Sequence, residues 1–109
     1  MAAGRRWVRL VQSSYPESFE RDVGYSDAEW RSAIARAVGH HPLQIQGAHA
    51  VVQLGDGSLS LQWSPLPNRT IALLSMPRLA VRFQFKGVGP EQRYAFMRLF
   101  DLNTQKGGG

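Results

Sequence analysis

The tetrapeptide Gly55-Asp56-Gly57-Ser58 constrains this chain more than any other stretch. An Asp-Gly pair between alternating apolar residues suits a two-residue type I′ hairpin loop, because both central positions need a positive φ. Taking Asp56-Gly57 as the loop predicts that Leu54 faces Leu59, Val52 faces Leu61 and Ala50 faces Trp63. Each pair joins apolar to apolar on one face. On the other face Gln53 meets Ser60 and Val51 meets Gln62. Turn chemistry and hydrophobic alternation therefore predict the same antiparallel pairing.

Strand patterns continue on both sides of that turn. Residues 7–12 read as a first strand, and Leu43 to Gln46 alternates. Gly47-Ala48 then breaks the parity and reads as a bulge or short bend. Pro65-Leu66-Pro67-Asn68 marks a turn, Thr70 to Leu74 a further strand, and Met76-Pro77 another break. Leu79 to Lys86 alternates without a fault, with Leu79, Val81, Phe83 and Phe85 inward and Ala80, Arg82, Gln84 and Lys86 outward. A sheet with one wet face produces this pattern.

Two helices complete the reading. Ser26 and Glu29 form a capping box, and Tyr25 and Trp30 stand at the positions of a hydrophobic staple. The helix they open runs to Val38 and buries Trp30, Ala33, Ile34, Ala37 and Val38, with Gly39 as its αL stop. Pro90 and Glu91 open a second helix that fades by Gln105. Its apolar arc is Phe96, Met97, Leu99 and Phe100, with Tyr94, Arg98 and Asp101 on the other side. The stretch from Ser13 to Gly24 carries Pro16, Glu17, Glu20 and Asp22, and reads as a long acidic surface connection pinned by Tyr15 and Phe19.

The expected fold is α+β: an antiparallel meander sheet of four to six strands with two helices on one face, in the order β-α-β-β-β-β-α. At 109 residues the chain holds one domain, expected over 5–105 with flexible tails at 1–4 and 106–109. It has no cysteine, so disulfides and thiolate chemistry are excluded, and a reducing cytoplasm suits it. Trp7 to Val11 is too short and too polar for a secretory segment, and no apolar run is long enough to cross a bilayer.

Chemistry is harder to place. His40, His41 and His49 lack the spacing of a metal site, so no metal and no cofactor is expected. No nucleophile elbow, paired carboxylates or phosphate loop is present, and the sequence offers no positive sign of an enzyme. Asp101 reads as a surface helical acid. The wet sheet face is expected to show Gln44, Gln46, Gln53, Ser60, Gln62, Arg82, Gln84 and Lys86, without aromatics for stacking bases. A basic set of Arg69, Arg78, Arg82, Lys86, Arg93 and Arg98 follows from a second half that carries most of the net charge of +5.

These features predict a cytoplasmic binding or accessory module. Its candidate residues are Arg78, Arg82, Gln84, Lys86, Arg93, Gln44, Gln46 and Gln62, offered as a polar face or basic edge to a protein partner. Nucleic-acid binding through the basic half is the first alternative, and a ligand site or active site built from distant residues is the second. Internal pairing of the basic set with the acidic segment Glu17 to Glu29 is the plain structural alternative. The expected state is a monomer or a weak homodimer, the latter through apolar surface left on the last helix.

Overall fold

The computed structural model describes residues 14–104. The strand expected at 7–12 and both expected tails lie outside the described residues. Five strands and two helices follow in the order β1 (Ser18–Val23), α1 (Asp27–Ala37), β2 (Leu43–Gln46), β3 (His49–Leu54), β4 (Gly57–Ile71), β5 (Leu74–Lys86) and α2 (Pro90–Thr104). All pairings are antiparallel, and the sheet order is β1-β5-β4-β3-β2. The meander and the element order match the expectation.

The helices begin as their sequences dictate. Ser26 Oγ accepts from the Glu29 amide and Glu29 Oε1 accepts from the Ser26 amide, which satisfies two orphan donors. Tyr25 packs on Trp30 at 5.4 Å between ring centroids. Both helices cover the inner face of the sheet. Phe100 of α2 meets Phe83 and Trp30 edge-on, and Phe96 meets Phe85 in the same way. Edge-to-face contacts of this kind add about 1 kcal/mol each beyond the apolar area they bury. Leu59, Leu61 and Val81 complete the centre of the core with no exposed surface.

Four local expectations need correction. The two-residue loop is Gly55-Asp56, so Leu54 pairs with Gly57, Val52 with Leu59 and Ala50 with Leu61. Only Gly55 takes a positive φ, +62°, so the loop needs one left-handed residue and not two. The slip is two residues, so every side chain keeps its face. Gly47-Ala48 is not a bulge. It is the two-residue loop of the β2–β3 hairpin, with Gly47 at φ +61°.

The acidic stretch read as a loop contains β1. Phe19 faces Phe83 in a ring stack of 4.7 Å, while Glu20 and Asp22 point to the wet face. Three charged residues in six hide this alternation from a hydrophobicity reading. Finally, Pro65 to Pro77 is no pair of turns with a short strand between them. It is one continuous two-stranded extension of β4 and β5, closed by Ala72-Leu73.

The prolines are tolerated there for a geometric reason. β3 last bonds β4 where the Trp63 amide donates to the Ala48 carbonyl, and β1 ends where Val23 meets Leu79. Beyond those levels each strand has one free edge, where a missing N–H costs no ladder bond. Pro67 and Pro77 also fall inside the register shift between Leu66 and Arg69.

Candidate functional site

Three surfaces stand out, and the sheet positions all of them. The first is the open face. Its rows cross the strands in register: Gln46, His49, Gln62, Arg82 and Glu20 in one, and Gln44, Val51, Ser60, Gln84 and Ser18 in the next. Lys86 stands beside Ser58 at the end of the face. His49 Nε2 lies 2.9 Å from Ser60 Oγ. No aromatic side chain stands on these rows.

The basic residues do not converge. Arg82 binds Glu20 at 2.7 Å, and Arg78 binds Asp22 at 2.6 Å. Arg93 lies elsewhere, donating to the Val88 and Tyr15 carbonyls and approaching Glu17 at 3.9 Å. Arg98 is an exposed residue of α2 and Arg69 an exposed residue of β4. Three members of the basic set thus pair with the acidic segment of the same chain. Of the eight candidate residues, the open face holds Gln44, Gln46, Gln62, Arg82, Gln84 and Lys86. Arg78 stands at its margin beside Leu66, and Arg93 is outside it.

The histidines separate as well. His40 and His41 follow α1 with rings 4.4 Å apart, and His41 meets Phe96 edge-on at 5.6 Å. Burial, then the neighbouring His40, holds the His41 imidazole below its usual range. His49 belongs to the open face. Among the described residues no group of three metal-ligating side chains comes together.

The second surface is the arm formed by residues 66–77. Counted from Pro65, level with the end of β1, to Ile71, the β4–β5 pair reaches roughly 20 Å past the last flanking strand. Its tip is apolar: Ile71 is 54% exposed, Leu73 99%, Leu74 67% and Met76 44%. Ala72 sits at φ +55°, the one described non-glycine residue with a positive φ. Hairpin loops ordinarily place Gly or Asn at such a position, because a Cβ there costs about 1–2 kcal/mol. Asn68 Nδ2 donates to Ser75 Oγ across the arm, and Arg78 Nη1 donates to the Pro67 carbonyl.

The third is a cleft of about 350 Å³ between the end of α1 and the outer side of α2. Ala37, Val38, Leu54, Ala95, Phe96 and Leu99 form its apolar lining, and Arg36, His40, His41, Gln92 and Asn103 its polar margin. Leu99 is 55% exposed there, and Leu102, three residues further along α2, is 64% exposed.

No family model, curated protein or solved structure matches this chain. The functional reading therefore rests on these surfaces. Sequence reasoning missed the arm and the cleft. Nothing local marks the arm's turn, because Ile71-Ala72-Leu73-Leu74 carries no glycine, asparagine or aspartate. Asp101 was also misread. It is half-buried and accepts from Tyr15 Oη at 2.7 Å and from both terminal nitrogens of Arg21, at 2.6 and 3.1 Å.

Proposed function

We propose that this chain is a docking module that engages a protein partner through the tip of the β4–β5 arm. One observation carries the reading: four large apolar side chains are held in water at the end of a projecting hairpin. Exposed single apolar residues are ordinary, but four on one projecting tip, closed by a left-handed alanine, forgo both solubility and turn stability. Strained backbone at an exposed tip favours a role that the strain serves.

The polar sheet face is the weaker candidate. Its arginine Arg82 is already matched by Glu20, and it presents neither an apolar centre nor base-stacking rings. Tip and face can be separated by site-specific photo-crosslinking in cells. A photoreactive residue at position 73 is expected to give discrete protein adducts that Ile71→Asp abolishes, while the same probe at position 84 gives none. Adducts at position 84 alone, or lipid adducts at position 73, would overturn the reading.

A further inference from the structure

The cleft beside α2 joins an apolar floor to a basic margin. Leu99 lies half in water over the buried side chains of Val38, Leu54 and Phe96. The lining runs along α2 from Gln92 to Asn103, about 16 Å at the rise of a helix. Ligand sites ordinarily enclose about 300–1,000 Å³, and this cleft, at about 350 Å³, stands at the small end of that range. A concavity of that length and that volume suits an extended chain better than a compact ring system. Every ionisable residue at its margin is a base: Arg36, His40 and His41, with no acidic residue in the lining. Arg36, exposed in the last turn of α1, forms no ion pair among the described residues. Arg21, Arg31, Arg78, Arg82 and Arg93 each meet a carboxylate of the same chain.

We infer that the cleft binds a small monocarboxylate with an unbranched apolar chain, the chain lying along α2 and the carboxylate meeting Arg36. The site is separate from the arm and does not rest on the docking reading. The chain would cover Leu99 and displace water from the apolar floor. The carboxylate would supply the partner that Arg36 lacks, since a guanidinium fork matches the two oxygens of a carboxylate. The other marginal groups are also donors: a neutral imidazole keeps one N–H, and the carboxamides of Gln92 and Asn103 have two each. The end of α1 carries a partial negative charge that disfavours an anion, but Gln92 belongs to the first turn of α2, where the partial charge is positive. A neutral apolar ligand would fill the floor equally well and leave Arg36 without a partner, so the charge is what selects the class.

The test follows backbone amide chemical shifts of the purified full chain, titrated with octanoate and, separately, with octanol. Octanoate is expected to move Val38, His41, Ala95 and Leu99 saturably, and to leave Leu73 at the arm tip and Gln84 on the open face unchanged. Octanol carries the same chain without the charge and should bind at least about tenfold more weakly. Arg36→Gln should bring octanoate down to the affinity of octanol and keep the wild-type circular dichroism, because Arg36 is exposed. Ala95→Glu, a second variant at an exposed position, sets an acid in the cleft and should abolish octanoate binding. Occupancy has a further signature at His41, whose imidazole burial and His40 hold below its usual range. Arg36 and His40 are the other ionisable groups of the lining, and α2 and β3 contribute none. A bound carboxylate should therefore raise the His41 titration, and octanol should not. Equal affinity for octanoate and octanol would overturn the inference, as would an octanoate affinity that Arg36→Gln leaves unchanged. So would the lack of a saturable shift at the cleft, or shifts confined to the arm. Cleft signals that move with protein concentration, together with a mass of twice 12.2 kDa, would assign the cleft to a second copy and overturn it too. None of these outcomes bears on docking through the arm, which the probe at position 73 tests by itself.

Discussion

At the scale of single residues, Gly57 carries more of this fold than its place in a turn suggests. The Asp-Gly signal places it in the loop with a positive φ, but its φ is not left-handed and it begins β4. What requires glycine is a close approach: a Cβ at position 57 would lie 2.3 Å from the Gly87 carbonyl oxygen and 2.6 Å from that of Lys86. Backbone cannot give way as a flexible side chain can. Gly57→Val is therefore expected to cost at least about 2 kcal/mol in denaturant unfolding. Gly24→Ala, where an added Cβ meets nothing, should change stability by less than about 0.5 kcal/mol. Equal stabilities would mean that the two backbones are further apart than described. The sequence pointed to the right residue through the wrong cause, since a hairpin loop is a local pattern and a contact with a distant strand end is not.

Between elements, the clasp of Tyr15, Arg21 and Asp101 ties β1 and its lead-in to α2. Burial, then the hydrogen bond to Asp101, pushes the Tyr15 phenol up to about 12. A raised pKa means that the folded chain holds this proton more tightly than the unfolded one. The stability it contributes is complete below the unfolded value near 10 and is lost as pH rises from there to about 12. Burial raises the Tyr25 phenol as well, so a phenolate absorbance titration should show a late phase that loses one tyrosine's amplitude in Tyr15→Phe and whose Tyr15 component Asp101→Asn moves to lower pH. A late phase of undiminished amplitude in Tyr15→Phe would contradict this assignment. None of this clasp was legible from periodicity. Asp101 lies off the apolar arc of α2, and its partners stand 86 and 80 positions away. The same limit applies to β1, whose charged residues suggest a loop until Arg78 and Arg82 are seen opposite them. Leu79 to Phe85 and the capped helix were legible because their patterns are local. The prolines of the arm misled for the opposite reason: they break a strand in the middle of a sheet, but not one with a free edge.

For the molecule as a whole, charge and apolar surface are distributed differently from what composition implies. Between residues 14 and 104 there are nine cationic and eight acidic side chains, so most of the net charge of +5 lies outside the described residues. The basic second half is largely balanced by the acidic strand beside it. Among the described residues, apolar exposure is concentrated instead at the arm tip and on the outer side of α2. Sequence could not reveal this, because Ile71 and Leu73 alternate as buried strand residues do, and only the lengths of the neighbouring strands leave them uncovered. The most direct measurement is photo-crosslinking in cells from position 73, set against the same probe at position 84. Discrete protein adducts from position 73 that Ile71→Asp abolishes, with none from position 84, are the predicted result. Adducts from position 84 alone, or lipid adducts from position 73, would contradict docking of a protein partner through the arm tip.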